Sequence, residues 1–565
     1  MSCKTALLCF IAVTVNNGIV NGENKVSVPQ PNESSPVTIT PSGAIRGSWM
    51  ETRRGRRFEG YRGIRYAEPP VGELRFQPPK PIHHYKTEVD AREEGPACPQ
   101  PTEGDYYIDE DCLRINVYTP NSKSKKPLPV IFYMHSGGFY SISGRSDVAG
   151  PKYFLDRDVV LVTINYRLAS LGFLSTGDEV APGNNGFKDQ VVALRWVQRN
   201  IRAFGGDPNL VTITGCSAGS FSVMLHMISP MSKGLFHRAI SISGSPISQV
   251  ADTHDLKYLA VKQAELLGCP TNSSKVIVDC LKTKTFREIG NSLEGFFLPG
   301  YDPVLVWSPV VELDFGQERF LTMKPVDAVR QKKMHAVPFI ISQTQAEFFW
   351  KAFTVLRNQT ILDSMNAEWD RLAPIAFILP KDKTAIPSAN RLRQAFLDGK
   401  QLVNDTFTAD GLGKLYGDSL IGFGVHRMAN LMCRHSPHKV YYYEFAYVGN
   451  HSHYEDPTTG KPIVAAHHDD LIYLFSLPAS FPIISASDTL DSLLVDRMTA
   501  IYYNFAIHGD PNPHGDGFPE LSSLHWPPMT PSKREYLHLG SQFQVRERLF
   551  EDRFNVWEEL YPIQY

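Results

Sequence analysis

The chain has 565 residues, 42% hydrophobic and 21% charged, which gives it material for a large core and excludes a disordered chain. Its 57 Lys and Arg against 59 Asp and Glu leave a formal net charge of -2. No excess of basic charge is left to neutralise phosphates, so a nucleic-acid partner is not expected.

Residues 1–22 read as a secretion signal. Lys4 gives a short positive start, residues 5–15 (TALLCFIAVTV) an apolar stretch, and Val20 and Gly22 small side chains ahead of a cleavage site before Glu23. The apolar run is short for crossing a bilayer; an uncleaved anchor is the alternative. The closing YPIQY has neither the hydrophobic tail of a lipid anchor nor an ER-retention tetrapeptide. A secreted, soluble protein without a membrane span is expected. Residues 23–36 read as a flexible lead-in. Residues 37–565 read as one domain, with no linker or repeat.

Of eight cysteines, Cys3 and Cys9 leave with the signal. Cys98 with Cys112, and Cys269 with Cys280, are close pairs of the kind an oxidising compartment closes into short loops. Each such loop contributes about 2–4 kcal/mol. Other pairings stay open. Cys216 and Cys433 are expected to be free and buried. The sequons at Asn32, Asn272, Asn358, Asn404 and Asn450 are candidate glycan sites on surface loops.

Residues 130–135 (VIFYMH) and 159–166 (VVLVTINY) have the apolar, β-branched character of buried parallel strands. Residues 189–204 place Val192, Leu194, Trp196, Val197 and Ile201 at helical spacing. A strand over 209–214, a helix over 217–228, a strand over 440–446 and a helix over 493–507 follow. This alternation predicts an α/β fold, a mostly parallel central sheet with helices on both faces. Ligands in such sheets bind at the carboxyl ends of the strands.

Gly215-Cys216-Ser217-Ala218-Gly219 fits G-x-S-x-G and falls between a predicted strand and a predicted helix. That is the context of a nucleophile elbow, where a sharp turn lifts a serine hydroxyl off the top of the sheet. A chance match in a Gly/Ser turn is the alternative. His135-Ser136-Gly137-Gly138-Phe139 follows an earlier strand. A carbonyl under attack becomes an oxyanion and needs preorganised donors. The N–H groups of Gly137, Gly138 and Ala218 could supply three; an ordinary glycine turn is the other reading.

From about residue 40 onward the chain resembles the type-B carboxylesterase and cholinesterase-like family of α/β-hydrolases. Residues 58–76 (FEGYRGIRYAEPPVGELRF), 110–113 (EDCL) and 183–219 carry the likeness, with Cys112 matching a disulfide cysteine of the family. The resemblance implies the α/β-hydrolase fold and a Ser–Glu–His triad. Ser217 matches its nucleophile. Residues 340–347 (IISQTQAE) look like the acid segment, which assigns Glu347. Residues 465–475 (AAHHDDLIYLF) look like the histidine segment. His467, with Asp470 three residues on, fits the family spacing, and His468 is the close alternative. A metal site is a further reading of HHDD, but adjacent histidines rarely converge on one ion. No metal or organic cofactor is expected.

Four positions depart from the family pattern. Ser136 replaces the first glycine of a triplet, Cys216 a Glu or Gln, Phe348 a glycine after the acid, and Val464 a glycine before His467. The loop between Cys98 and Cys112 lacks the tryptophan that binds quaternary ammonium in cholinesterases, though it holds Tyr106 and Tyr107. Phe139, Tyr140, Phe348, Phe349 and Trp350 flank the inferred site as pocket or core residues. These features imply a serine carboxylesterase that forms an acyl-enzyme on a neutral, apolar ester, whether juvenile-hormone-like, lipid or xenobiotic. The alternative is a catalytically silent recognition domain on the same fold.

Overall fold

The computed structural model describes residues 34–101, 106–249, 256–298, 300–301, 305–487, 490–515 and 517–565. The signal segment, most of the lead-in and Asn32 lie outside the described residues.

Eleven strands form the central sheet. In chain order they are β1 (Ser48–Glu51), β2 (Arg57–Arg65), β3 (Arg114–Thr119), β4 (Leu128–Met134), β5 (Val160–Ile164) and β6 (Gly206–Cys216). β7 (Arg238–Ile242), β8 (Phe339–Thr344), β9 (Val440–Phe445), β10 (Glu535–Leu539) and β11 (Phe543–Glu547) complete it. The order across the sheet is β11-β10-β9-β8-β7-β6-β4-β5-β3-β2-β1. β5, β4, β6, β7, β8, β9 and β10 run parallel. β1 to β3 on one edge and β11 on the other pair antiparallel.

Successive side chains of a strand point to opposite faces, and each face here has its own core. Val130, Phe132 and Met134 of β4 enter one core, with residues of α1 (Asn185–Asn200), α2 (Ala218–Ile228) and α3 (Phe423–His435). Ile131 and Tyr133 enter the other, with Met498, Ile501 and Phe505 of α4 (Leu490–His508). Burial on both faces is why all five residues of β5 (VLVTI) are buried and lack polar alternation.

The chain lays β5 on one side of β4, then returns to lay β6 on the other. In such sheets a reversal of this kind, here at the carboxyl ends of β4 and β6, is the usual ligand position. Between β8 and β9 the chain inserts a block of helices that begins at Trp350, and Trp350, Leu362, Trp369 and Leu412 tie it into the first core.

The elements match the sequence expectations in type and differ in bounds. α1 starts at Asn185, four residues early, and its expected end, Ile201–Phe204, tightens into a 3-10 turn before Gly205 at φ +80°. β6 runs longer than residues 209–214 at both ends, because pairing with β4 and β7 carries it to Cys216.

Cys98–Cys112 and Cys269–Cys280 form disulfides with Cα–Cα separations of 4.9 and 5.8 Å. Cys216 is free and buried. Cys433 is free but only half-buried, which corrects its expected burial. It lies in the last turns of α3, where the thiol donates to the Asn430 carbonyl at 3.3 Å beside solvent. Asn272, Asn358, Asn404 and Asn450 are all exposed.

Candidate active site

Ser217 is the single residue between β6 and α2, with φ +55° and ψ −118°. Such backbone values cost a non-glycine residue about 1–3 kcal/mol and persist only where the surroundings enforce them. Here β6 ends and α2 begins with no intervening loop. The Ser217 N–H donates to the Ile242 carbonyl at 2.8 Å, and its carbonyl accepts from Phe221 N–H at 3.0 Å. At Gly219 a Cβ would lie 2.0 Å from the Met134 carbonyl oxygen, so the first turn of α2 presses on the end of β4. The result is a nearly buried serine, 7% exposed, at the positive end of a helix.

The loop after β4 lies beside this turn. Gly137 takes φ +101° and its carbonyl accepts from both Tyr140 and Ser141 N–H at 2.9 Å. Phe139 takes φ +64° and its carbonyl accepts from Ala169 N–H at 2.7 Å. His135 anchors the entry to the loop. Its ring stacks on Tyr166 at 4.3 Å, its Nδ1 donates to the Ser136 carbonyl at 2.8 Å, and its own carbonyl accepts from the Tyr166 hydroxyl at 2.9 Å. Burial pushes the His135 pKa down to about 4, so this ring brings no charge near the serine. The carbonyls of His135, Ser136, Gly137 and Phe139 are thus engaged. Among the described residues, the N–H groups of Gly137, Gly138 and Ala218 are not drawn into the loop's hydrogen bonds.

Glu347 and His467 meet from opposite sides of the helical insertion. Ala346 N–H donates to the Ala465 carbonyl at 3.1 Å, which locks the two segments side by side. Glu347 Oε1 accepts from Thr344 N–H at 2.7 Å, and Oε2 accepts from His467 Nδ1 at 2.5 Å. Both side chains are buried. With its proton on Nδ1, the ring presents Nε2 as an acceptor. That atom is buried and has no hydrogen-bond partner among the described residues. Of the two candidate histidines, His467 holds the acid. His468 turns away at φ +78°, and burial together with the neighbouring imidazoles of His467 and His453 holds its pKa well below the usual value.

The two aspartates of the same segment do different work. Asp469 accepts from Ser452 Oγ, His453 N–H and Ala466 N–H at 2.6, 2.7 and 2.8 Å, clasping the segment to its neighbours. Asp470 is fully buried behind the pair, with its Oδ2 3.5 Å from the Tyr443 hydroxyl. Burial, then the nearby charges of Glu347 and Asp469, push its pKa up to about 8. The Cys216 thiol faces the same buried region, and burial followed by Asp470 and Glu347 raises its pKa well above the thiol range. The residue before Ser217 is therefore neutral.

The other singled-out residues divide. Phe139 packs among Phe173, Phe187 and Phe221 at 5.0, 5.3 and 6.2 Å, and Tyr140 is buried, so both serve the core under the loop. Phe349 packs on Tyr454 at 4.9 Å. Phe348, at φ +48°, lays its ring 4.2 Å from His467. The left-handed backbone explains why glycine suits that position. Val464 shows no such constraint, for its φ is not positive. Tyr106 bonds Ser143 at 3.1 Å under the Arg145 guanidinium, and Tyr107 is exposed. Sequence reasoning missed the burial of Asp470 and the packing of His468 on His467; neither leaves a mark in composition or spacing.

A mostly parallel sheet that carries a serine elbow, a glycine loop and a carboxylate–histidine pair at its carboxyl edge has the α/β-hydrolase fold. The chain belongs to the carboxylesterase family, whose profile matches residues 34–557. It is 35% identical over 542 residues to a carboxylic ester hydrolase of Bombus ignitus, covering 93% of this chain and 94% of that protein. It is 35% identical over 503 residues to the juvenile hormone esterase of Tribolium castaneum, covering 85% of each. The crystal structure of juvenile hormone esterase from Manduca sexta, with OTFP covalently attached, superposes with a TM-score of 0.82 at 26% identity, covering 94% of this chain and 100% of that one. The chain is a carboxylic ester hydrolase.

Two outcomes follow from this geometry. Gly219→Ala should destabilise the protein by about 1–3 kcal/mol through overpacking, read as a lower thermal midpoint. Gly517→Ala, where a Cβ meets nothing within 4 Å, should leave the midpoint unchanged. Asp470 has a folded pKa of about 8 against an ordinary 3.8. The folded state thus binds the extra proton, and the stability Asp470 supplies is full below about pH 4 and lost as pH rises through about 8. Asp470→Asn should flatten that decline in a series of thermal melts from pH 4 to pH 9.

Proposed function

We propose that this chain is a secreted serine carboxylesterase that cleaves a neutral, apolar ester through an acyl-enzyme, with residues 37–565 as one catalytic domain. The observation that carries the reading is the buried His467, held through Nδ1 by Glu347 with Nε2 unpartnered, at the same sheet edge as Ser217.

In this mechanism Ser217 Oγ attacks the ester carbonyl while His467 Nε2 takes the hydroxyl proton. The carbonyl becomes a tetrahedral oxyanion, which accepts from the N–H groups of Gly137, Gly138 and Ala218. The C–O bond to the alcohol then breaks, and the departing oxygen takes the proton back from Nε2. Water repeats the attack on the acyl-enzyme, giving its proton to Nε2; the acyl C–Oγ bond then breaks, Nε2 returns the proton to Ser217 Oγ, and the carboxylic acid leaves. Glu347 fixes the proton on Nδ1 and stabilises the imidazolium between steps.

Two features support an uncharged substrate. The loop closed by Cys98 and Cys112 has no tryptophan to hold a quaternary ammonium, and the residue before Ser217 is a neutral thiol. Relatives named as juvenile hormone esterases fit the same class, which also takes in lipid and xenobiotic esters. Secretion is supported by the signal-like residues 1–22 and by two short-loop disulfides. Exposed Asn272, Asn358 and Asn404 are free to carry glycans. At Asn450 the side-chain nitrogen donates to Asp491 at 2.9 Å, so a glycan there would replace that bond.

The secreted protein, treated with a fluorophosphonate and peptide-mapped, should carry the label on Ser217. No label on folded protein refutes the assignment. Ser217→Ala should lose label and hydrolysis by at least about 10⁴-fold, and Glu347→Gln should lower kcat by about 10³–10⁴ through the wrong tautomer. Assayed side by side, His467→Ala should be inactive and His468→Ala should retain turnover. Esters of graded acyl length should be cleaved well ahead of choline esters of equal size.

A further inference from the structure

We infer that Phe348 and His468 are positioning residues that hold the His467 imidazole between their two rings, in the plane its bond to Glu347 requires. The inference rests on the reading of His467 as the base.

The Phe348 ring centroid lies 4.2 Å from that of His467 with the planes 32° apart, and the His468 centroid lies 4.0 Å away with the planes 35° apart. Both are tilted ring contacts. The two rings lean on different supports, Phe348 on Trp350 at 5.1 Å and His468 on His453 at 5.5 Å. They also come from different segments, one following the acid and the other following the base itself.

The backbone makes the pairing informative. Phe348 has φ +48° and His468 φ +78°. Left-handed backbone costs a residue with a Cβ about 1–2 kcal/mol, and glycine takes it freely. The chain therefore keeps a ring at two strained positions, and both rings end on the same imidazole. Two flanking rings resist a rotation that the bond to Glu347 alone does not. They also suit the charge that appears in the reaction, since an imidazolium over an aromatic face gains cation–π attraction. His468 adds no opposing charge, because burial keeps it neutral.

The test uses the full secreted chain with 4-nitrophenyl butyrate as the probe ester. Phe348→Gly and His468→Gly should each lower kcat by about tenfold, the scale of a lost ring contact and a loosened reacting geometry. KM should stay within about twofold; Phe348→Gly should lower the thermal midpoint, because the cavity left by a buried ring outweighs the relieved backbone. Phe348→Trp and His468→Phe, which restore a ring, should recover most of kcat. Glycine variants with wild-type kcat would overturn the proposal. So would a Phe348→Leu variant, which refills the space without a ring, that recovers kcat as fully as Phe348→Trp, since that marks a merely structural role. His468→Phe as slow as His468→Gly would overturn the ring role of His468. His467→Ala separates the two readings. If it is fully active, the base assignment fails; if it is inactive while the glycine variants behave as wild type, only the clamp fails.

Discussion

A strand that becomes a helix in the space of one residue is the constraint on which this site depends. Ser217 takes φ +55° because β6 and α2 leave no room for a loop between them. The strain is borne by two cores that bury both faces of the sheet, and by the Ser217 N–H bond to Ile242. The same turn presses the start of α2 against the end of β4, where the glycine loop begins.

The second constraint is the order of the sheet. Glu347 and His467 are 120 residues apart in sequence. They meet because β8 and β9 are parallel neighbours, so the segments that follow them emerge side by side at the same carboxyl edge. Parallel strands deliver all their carboxyl ends to one side. A serine after β6, an acid after β8 and a base after β9 therefore share one rim without any long loop reaching across. The neutral Cys216 and the neutral Asp470 sit behind that rim. Burial raises the pKa of both, and Glu347 is the carboxylate that bonds the imidazole.

How much was legible in the sequence differs residue by residue. Ser217 could be read directly, because the apolar runs that form β6 and α2 bracket the motif and name its context. Glu347 and His467 could be read only through resemblance, since no local pattern joins residues so far apart. His467 and His468 were inseparable, for a shift of one residue leaves the HHDD pattern equally satisfied. The two part only in three dimensions, where His467 is the one that bonds Glu347. The antiparallel strands β1 to β3 went unread: β1 is brief and partly exposed, β2 has charges and glycines among its apolar residues, and β3 spans only six residues. The insertion after β8 went unread as well, its short helices gaining order from the core they cover. Cys433 was misjudged because a thiol near the end of a helix can lie half in solvent without any local sign.

Consider the attachment of Glu347. Its Oε1 accepts from the N–H of Thr344, the last residue of β8, and the neighbouring Ala346 is bonded across to Ala465. The carboxylate is therefore fastened to a central strand and does not hang from a mobile loop. Its positional freedom is that of the sheet, whose opening requires the cooperative loss of both cores. Warming then has no cheap local route to disarming the pair. The carboxylate therefore keeps its place for as long as the central strand that carries it holds.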